Sequence, residues 1–252
     1  SSSIKYIYMK KVNFILLVAL GFLLGGCAKE PNQAVNIIPQ PQQLEVVDGG
    51  FSLTPKTVIN VVKGADDLQP ACTFLSKLVE KSLGSALEIK SGEVKKDAVN
   101  IIVDASMKTD AYELIVTDKS VDVKGGSSKA VFYALQSLRQ MLPVEIEKGE
   151  IMSKISIQNV KIQGEPRFAY RGSMLDVCRH FFTVEEVKNY IDILALHKLS
   201  VFHWHLTEDQ GWRIEIKKYP ELTQVGSVRK QTVIGKNTGK YDGKPYGPYF
   251  FT

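Results

Sequence analysis

The sequence has 252 residues, 44% of them hydrophobic and 23% charged, which excludes a fibrous, collagen-like or wholly disordered chain. A count of 32 Lys and Arg against 27 Asp and Glu leaves a net charge of +5. The basic residues fall in short scattered pairs (Lys10-Lys11, Lys95-Lys96, Lys217-Lys218, Arg229-Lys230), so no nucleic-acid partner is expected. The three cysteines, Cys27, Cys72 and Cys178, are too few and too scattered for a disulfide framework or a zinc cluster.

Met9-Lys10-Lys11 has the form of an initiation site with a basic start, and the apolar run Val12 to Leu24 follows it. That run suits the ~7–15 residue core of a secretory signal and falls short of the ~20 residues that span a bilayer. It ends in Leu24-Gly25-Gly26-Cys27, which resembles a bacterial lipobox, with Cys27 as the site of lipidation. A plain signal in which Cys27 is incidental is the alternative. Residues 1–27 are thus expected to be a signal peptide and the polar residues 28–36 a tether. The expected localisation is export, with lipid anchoring to a bacterial membrane on either its periplasmic or its outer side.

From Ile37 the pattern changes. Ile37-Ile38-Pro39-Gln40-Pro41 is a proline-fixed extended entry. Short β-branched runs at Val58–Val62, Val99–Val103, Tyr112–Val116 and Val121–Val123 predict strands, the last two joined as a hairpin through Thr117-Asp118-Lys119-Ser120. Phe74, Leu75, Leu78 and Val79 have helical spacing, with Gly84 as a stop. Val131, Leu135, Leu138 and Leu142 share one face of a second helix, which Pro143 ends. Strands with two helices and no strict alternation predict an α+β domain over residues 37–163, with a structural or docking role.

Gly164-Glu165-Pro166-Arg167 reads as a junction. Beyond it, Ser173–Val177 predicts a strand, Thr183-Val184-Glu185-Glu186 a capping box, and Val187, Tyr190, Ile191 and Leu194 a helix with one buried stripe. Leu199–Leu206 predicts a second strand. Strand, helix, strand with tight connections is a βαβ unit, normally parallel, with its chemistry beyond the carboxyl ends of the strands.

Two polar groupings sit at those ends, Cys178-Arg179-His180 and Thr207-Glu208-Asp209-Gln210. The Arg179 guanidinium suits vicinal sugar hydroxyls, a carboxylate or a phosphate, or else a structural ion pair with Asp176 or Glu208. Glu208 and Asp209 could act as general acid or base, orient a catalytic group, or cap the loop. His203 and His205 project from the same strand face, a spacing some metal-dependent barrel hydrolases use, though zinc would need a further ligand. Trp204 points the other way, toward helix packing. Trp212 follows Gly211 in a loop, where packing competes with a sugar-facing role.

Pro166-Arg167-Phe168, Tyr170-Arg171-Gly172, Leu175 to Phe182 and His203-Trp204-His205-Leu206-Thr207-Glu208-Asp209-Gln210-Gly211-Trp212-Arg213 together resemble the family 20 glycoside hydrolases, the β-N-acetylhexosaminidases. Ile38-Pro39-Gln40-Pro41, Tyr112-Glu113-Leu114 and the Val131–Leu142 helix resemble that family's N-terminal α+β domain. The resemblance implies that residues 164–252 begin a (β/α)8 TIM barrel, cut off after about two βα units. It also implies exo-acting, substrate-assisted retaining hydrolysis of terminal GlcNAc or GalNAc from glycans, with no metal or organic cofactor. Arg179 matches the arginine that binds the terminal sugar's hydroxyls. Glu208 stands where many members have an Asp that supports the catalytic acid through a histidine. The family's adjacent Asp-Glu catalytic pair does not occur in the sequence. From Arg167 onward the chain has about a third of the roughly 250 residues such a barrel takes, so the pair is expected beyond Thr252 and this fragment alone is expected to be inactive. The expected partners are glycans bearing terminal N-acetylhexosamine and, through the anchor, a membrane. A non-catalytic surface glycan-binding lipoprotein or remnant is the first alternative, and a metal-dependent barrel hydrolase using His203 and His205 the second.

Overall fold

The computed structural model describes residues 34–63, 68–236 and 238–252. The expected signal, Cys27 and most of the tether lie outside the described residues. The first part of the chain runs β1 (Gln43–Leu53), β2 (Val58–Lys63), α1 (Gln69–Leu83), β3 (Glu88–Ser91), β4 (Ala98–Val103), β5 (Tyr112–Val116), β6 (Ser120–Gly125), α2 (Ser128–Met141), α3 (Glu145–Lys148) and β7 (Ile155–Gly164). The strands form one seven-stranded sheet in the order β1-β7-β5-β6-β4-β2-β3. It is antiparallel from β1 to β6 and parallel from β6 to β3.

The predicted hairpin joins β5 and β6, closed by the Thr117 amide donating to the Ser120 carbonyl at 2.9 Å. Both predicted helices form. Gly84 caps α1 with φ 75°, and the Ser127 side chain accepts from the Ala130 amide at the start of α2. Leu75 and Val79 of α1 and Val131, Leu135 and Leu138 of α2 are buried against Ile59, Val99, Ile101, Leu114, Val121 and Ile162 of the sheet. Each such side chain contributes about 1.5–3 kcal/mol by leaving water. The structure adds β1, β3 and β7 to the predicted strands. In β1 the pairing shifts register between Val46 and Gly50, where Gly49 adopts φ 100°. This bulge breaks the period-two pattern by which a strand is read.

The second part holds β8 (Gly172–Asp176), α4 (Val184–Leu196), β9 (Val201–His205), β10 (Thr207–Glu208), β11 (Gly211–Trp212) and α5 (Glu221–Gln224). As predicted, β8 and β9 are parallel, with Asp176 opposite His205, and the Thr183–Glu186 capping box starts α4. Tyr190 of α4 lies on the Phe202 face, its hydroxyl 2.6 Å from Ser173 Oγ and its ring centroid 5.7 Å from that of Phe202. The opposite face carries Met174, Asp176, His203 and His205. Trp212, predicted in a loop, lies in β11 paired with β10, and its indole N–H donates to the Ile214 carbonyl at 2.7 Å. That bond ties the ring to its own chain.

Arg171 joins the two parts. Its guanidinium donates to the Lys198 carbonyl at 3.2 Å, the Phe168 carbonyl at 2.8 Å and the Tyr133 hydroxyl at 2.6 Å. Helix α4 ends in a Schellman motif, in which the Leu199 amide donates to Leu194 and the Lys198 amide to Ala195, both at 2.9 Å. Lys198 takes the left-handed position, φ 59°, where glycine is usual. The residue is 5% exposed, and the ammonium has no hydrogen-bond partner among the described residues, lying 5.9 Å from the Tyr112 ring centroid. Burial pushes its pKa down from 10.5 to about 8. The unfolded chain therefore binds more protons across that interval, so stability rises as pH rises from about 8 to 10.5. Lys198→Met keeps the stem and removes the amine. Denaturation across this pH range is expected to show a higher Tm at neutral pH, by ~3 °C or more, and a flattened pH response. A lower Tm with the pH response intact would contradict the assignment.

Candidate active site

Strands β8 and β9 end side by side, and the chain turns at once beyond Asp176. One Asp176 carboxylate oxygen accepts the Cys178 amide at 2.8 Å and the Arg179 amide at 3.2 Å, while the other accepts Arg179 Nη1 at 2.8 Å. Arg179 Nη2 meets Glu208 Oε2, and Glu208 Oε1 accepts the Gln210 amide at 3.1 Å. Both ion pairs weighed from the sequence therefore form together. They use two of the guanidinium's five N–H donors, and its side chain remains 43% exposed. Asp176 and Glu208 orient the arginine, and its three remaining N–H donors belong to a partly exposed side chain, which is compatible with binding a pair of hydroxyls or an anion.

The electrostatics follow from this packing. Burial raises the Asp176 carboxyl, but the Cys178 and Arg179 amides and the Arg179 guanidinium outweigh it, holding the group below the usual carboxylate range. Cys178 is pushed up to about 11, by burial first and then by the negative charges of Asp176 and Glu208. Its thiol donates to the His205 carbonyl at 3.3 Å. It is a packing group and carries no thiolate at neutral pH.

The turn is held from beneath by Arg213, which is fully buried. Its Nε donates to the Val177 carbonyl at 3.2 Å and its Nη2 to Cys178 at 2.7 Å, while Nη1 donates to Ser227 at 2.8 Å and Tyr249 at 3.0 Å. A buried carbonyl left without a donor costs about 1–3 kcal/mol, so one side chain secures several backbone positions at once. Gly211 has to be glycine here, since a Cβ would lie 2.3 Å from Arg213 Nη2. Arg229 adds an outer layer. Its Nη2 donates to the Arg179 carbonyl at 2.7 Å, its Nη1 to Gln210 at 3.2 Å, and its guanidinium lies 3.9 Å over the Tyr246 ring. The Tyr246 hydroxyl accepts the Phe181 amide at 2.7 Å.

Sequence reasoning placed Arg179 and Glu208 together at the strand ends, and the structure brings them into contact. It assigned nothing to Arg213, Arg229 or Tyr246. Only Arg213 left a signal, as a charge inside the otherwise apolar run Trp212-Arg213-Ile214. His203 and His205 share a strand face as predicted, with ring centroids 6.2 Å apart, and His205 Nε2 is hydrogen-bonded at 3.2 Å to the Thr207 carbonyl. Among the described residues no group of three His, Cys, Asp or Glu side chains is placed to hold a metal ion. Asp209 is exposed.

Comparison with known proteins supplies the family. Residues 34–163 match the description "Glycosyl hydrolase family 20, domain 2" and residues 168–248 match "Glycosyl hydrolase family 20, catalytic domain". The chain belongs to glycosyl hydrolase family 20. It is 41% identical over 235 residues to a "Beta-hexosaminidase" of Porphyromonas gingivalis, covering 88% of this chain and 30% of that protein. It is 33% identical over 218 residues to a "Beta-N-acetylhexosaminidase" of Cellulomonas fimi, covering 85% of this chain and 41% of the relative. Among solved structures, the GH20 β-N-acetylhexosaminidase of Streptomyces coelicolor A3(2) superposes with a TM-score of 0.72 at 29% identity, over 82% of this chain and 41% of that one. A GH20 exo-β-N-acetylglucosaminidase of Vibrio harveyi in complex with N-acetylglucosamine gives 0.69 at 30% identity, over 84% and 32%. The chain thus spans well under half the length of each of these relatives. The fold is that of the family's second domain followed by the start of its TIM barrel.

Proposed function

We propose that this chain is the N-terminal portion of an exo-acting β-N-acetylhexosaminidase that removes terminal GlcNAc or GalNAc from glycans. The observation that carries this reading is the Arg179 guanidinium, braced by Asp176 and Glu208 at the ends of two parallel strands in a family 20 chain. Its remaining N–H groups take adjacent hydroxyls of the terminal sugar. The relative crystallised with N-acetylglucosamine supports that sugar class. In the substrate-assisted scheme the 2-acetamido oxygen attacks the anomeric carbon while a carboxylic acid protonates the leaving oxygen. Holding the sugar in one orientation makes that attack intramolecular, which contributes several kcal/mol.

The Asp-Glu pair that completes the reaction is assigned to residues following Thr252. On this reading Glu208 works through its grip on Arg179 and on the Gln210 turn. The protein carrying this chain at full length is expected to release p-nitrophenol from its β-N-acetylglucosaminide, and residues 1–252 alone to release none. Silence from the long form, or turnover by the short one, overturns the corresponding half of the proposal.

We also propose that the protein is exported and anchored to a bacterial membrane by lipid on Cys27, supported by the basic start, the apolar run and Leu24-Gly25-Gly26-Cys27. Cells fed labelled palmitate are expected to label the wild type and not Cys27→Ala. Equal labelling of both would remove the anchor.

A further inference from the structure

Residues 229–236 and 238–246 make an arm that the sugar-binding scheme does not use. Its two sides pair antiparallel at Arg229 with Tyr246 and at Val233 with Tyr241. The Arg229 and Tyr246 amides exchange bonds with the opposite carbonyls at 3.0 and 2.9 Å, and the Ile234 amide donates to Lys240 at 2.8 Å. The root is fastened to the loop that presents Arg179, by the Arg229 bonds to the Arg179 and Gln210 carbonyls and by the Tyr246 bond to Phe181. The root of the arm therefore stands at the strand ends that carry Arg179.

Its composition is lopsided. It holds Arg229, Lys230, Lys236, Lys240 and Lys244 against one acid, Asp242, a local net charge of +4. Arg229 is turned inward on carbonyls and Tyr246, but Lys230, Lys236, Lys240 and Lys244 are all exposed. Asp242 is engaged by backbone, accepting the Thr232 amide at 2.8 Å and the Lys244 amide at 3.0 Å. Lys230 and Lys244 flank the root, and Lys236 and Lys240 lie toward the tip. Lysine ammonium groups can donate to neutral hydroxyls, but the summed charge of such a cluster acts only on an anionic group. That charge raises the local concentration and affinity of an anionic sugar.

We propose that the 229–246 arm is a specificity element that receives an acidic group, a sulfate ester or a carboxylate, on the part of the glycan beyond the terminal sugar. This rests on the hexosaminidase reading and narrows its substrate class. The full-length protein is to be assayed on three glycosides with terminal β-N-acetylglucosamine, carrying next to it neutral galactose, sulfated galactose or glucuronic acid. At low ionic strength the acidic substrates are expected to show kcat/KM about three- to tenfold above the neutral one, with the preference lost at high salt. Replacing Lys230, Lys236, Lys240 and Lys244 by Gln is expected to bring the acidic-to-neutral ratio close to unity. A preference confined to the sulfated substrate assigns the sulfate ester, one confined to glucuronic acid assigns the carboxylate, and either supports the arm's role. A wild-type ratio near unity at low salt, or a preference that survives the four substitutions, overturns it while the hexosaminidase reading stands. No hydrolysis of the neutral substrate by the wild type overturns the hexosaminidase reading, and this inference with it.

Discussion

One buried guanidinium governs the geometry of the site. Arg213 gathers the carbonyls of Val177, Cys178, Ser227 and Tyr249, which belong to separate stretches of the chain, around a single planar group. A buried charge is costly unless its hydration is replaced, and here carbonyl dipoles replace it. The return is rigidity: a fork of fixed donors admits few arrangements of its acceptors. The carbonyls of Val177 and Cys178 are held by Arg213 and the Cys178 and Arg179 amides by Asp176, so the backbone from which the Arg179 side chain leaves is bonded on both sides. Arg229 and Tyr246 then extend the same fixation outward to the 229–246 arm.

The α+β part bears on the site through a second arginine. Arg171 stands just before β8 and links Tyr133 of α2 to the carbonyl of Lys198 at the end of α4. Gln140 of α2 adds a bond to the Leu196 carbonyl at 2.9 Å. Helix α2, packed across the sheet by Val131, Leu135 and Leu138, thus braces both the entry to β8 and the exit of α4. Cost and benefit meet at the same place, for that seam also buries the unpartnered Lys198 ammonium.

Local rules made much of this visible in the sequence. The Thr183–Glu186 capping box, the β5–β6 hairpin, the helical faces ended by Gly84 and Pro143, and the shared face of His203 and His205 each depend on residues within a few positions of one another. What escaped depends on distance or irregularity. Strands β1 and β7 pair across a bulge at Gly49, so neither shows a clean alternation. Arg213 reaches Cys178 across 35 residues and Arg229 reaches Arg179 across 50, and no periodicity reports such contacts. Arg179 itself was recognisable as a candidate from its place at a strand end, and both ion pairs weighed for it form, which uses two of its five N–H donors.

The central claim is that Arg179 is held rigidly in order to bind the terminal sugar, and one substitution tests it. Arg179→Lys keeps the charge and loses the planar fork. In the full-length protein, kcat/KM for a β-N-acetylglucosaminide is expected to fall on the order of a hundredfold, while Tm stays with the wild type. A kcat/KM within about twofold of the wild type, at equal Tm, would show that Arg179 does not bind the sugar and would contradict the account.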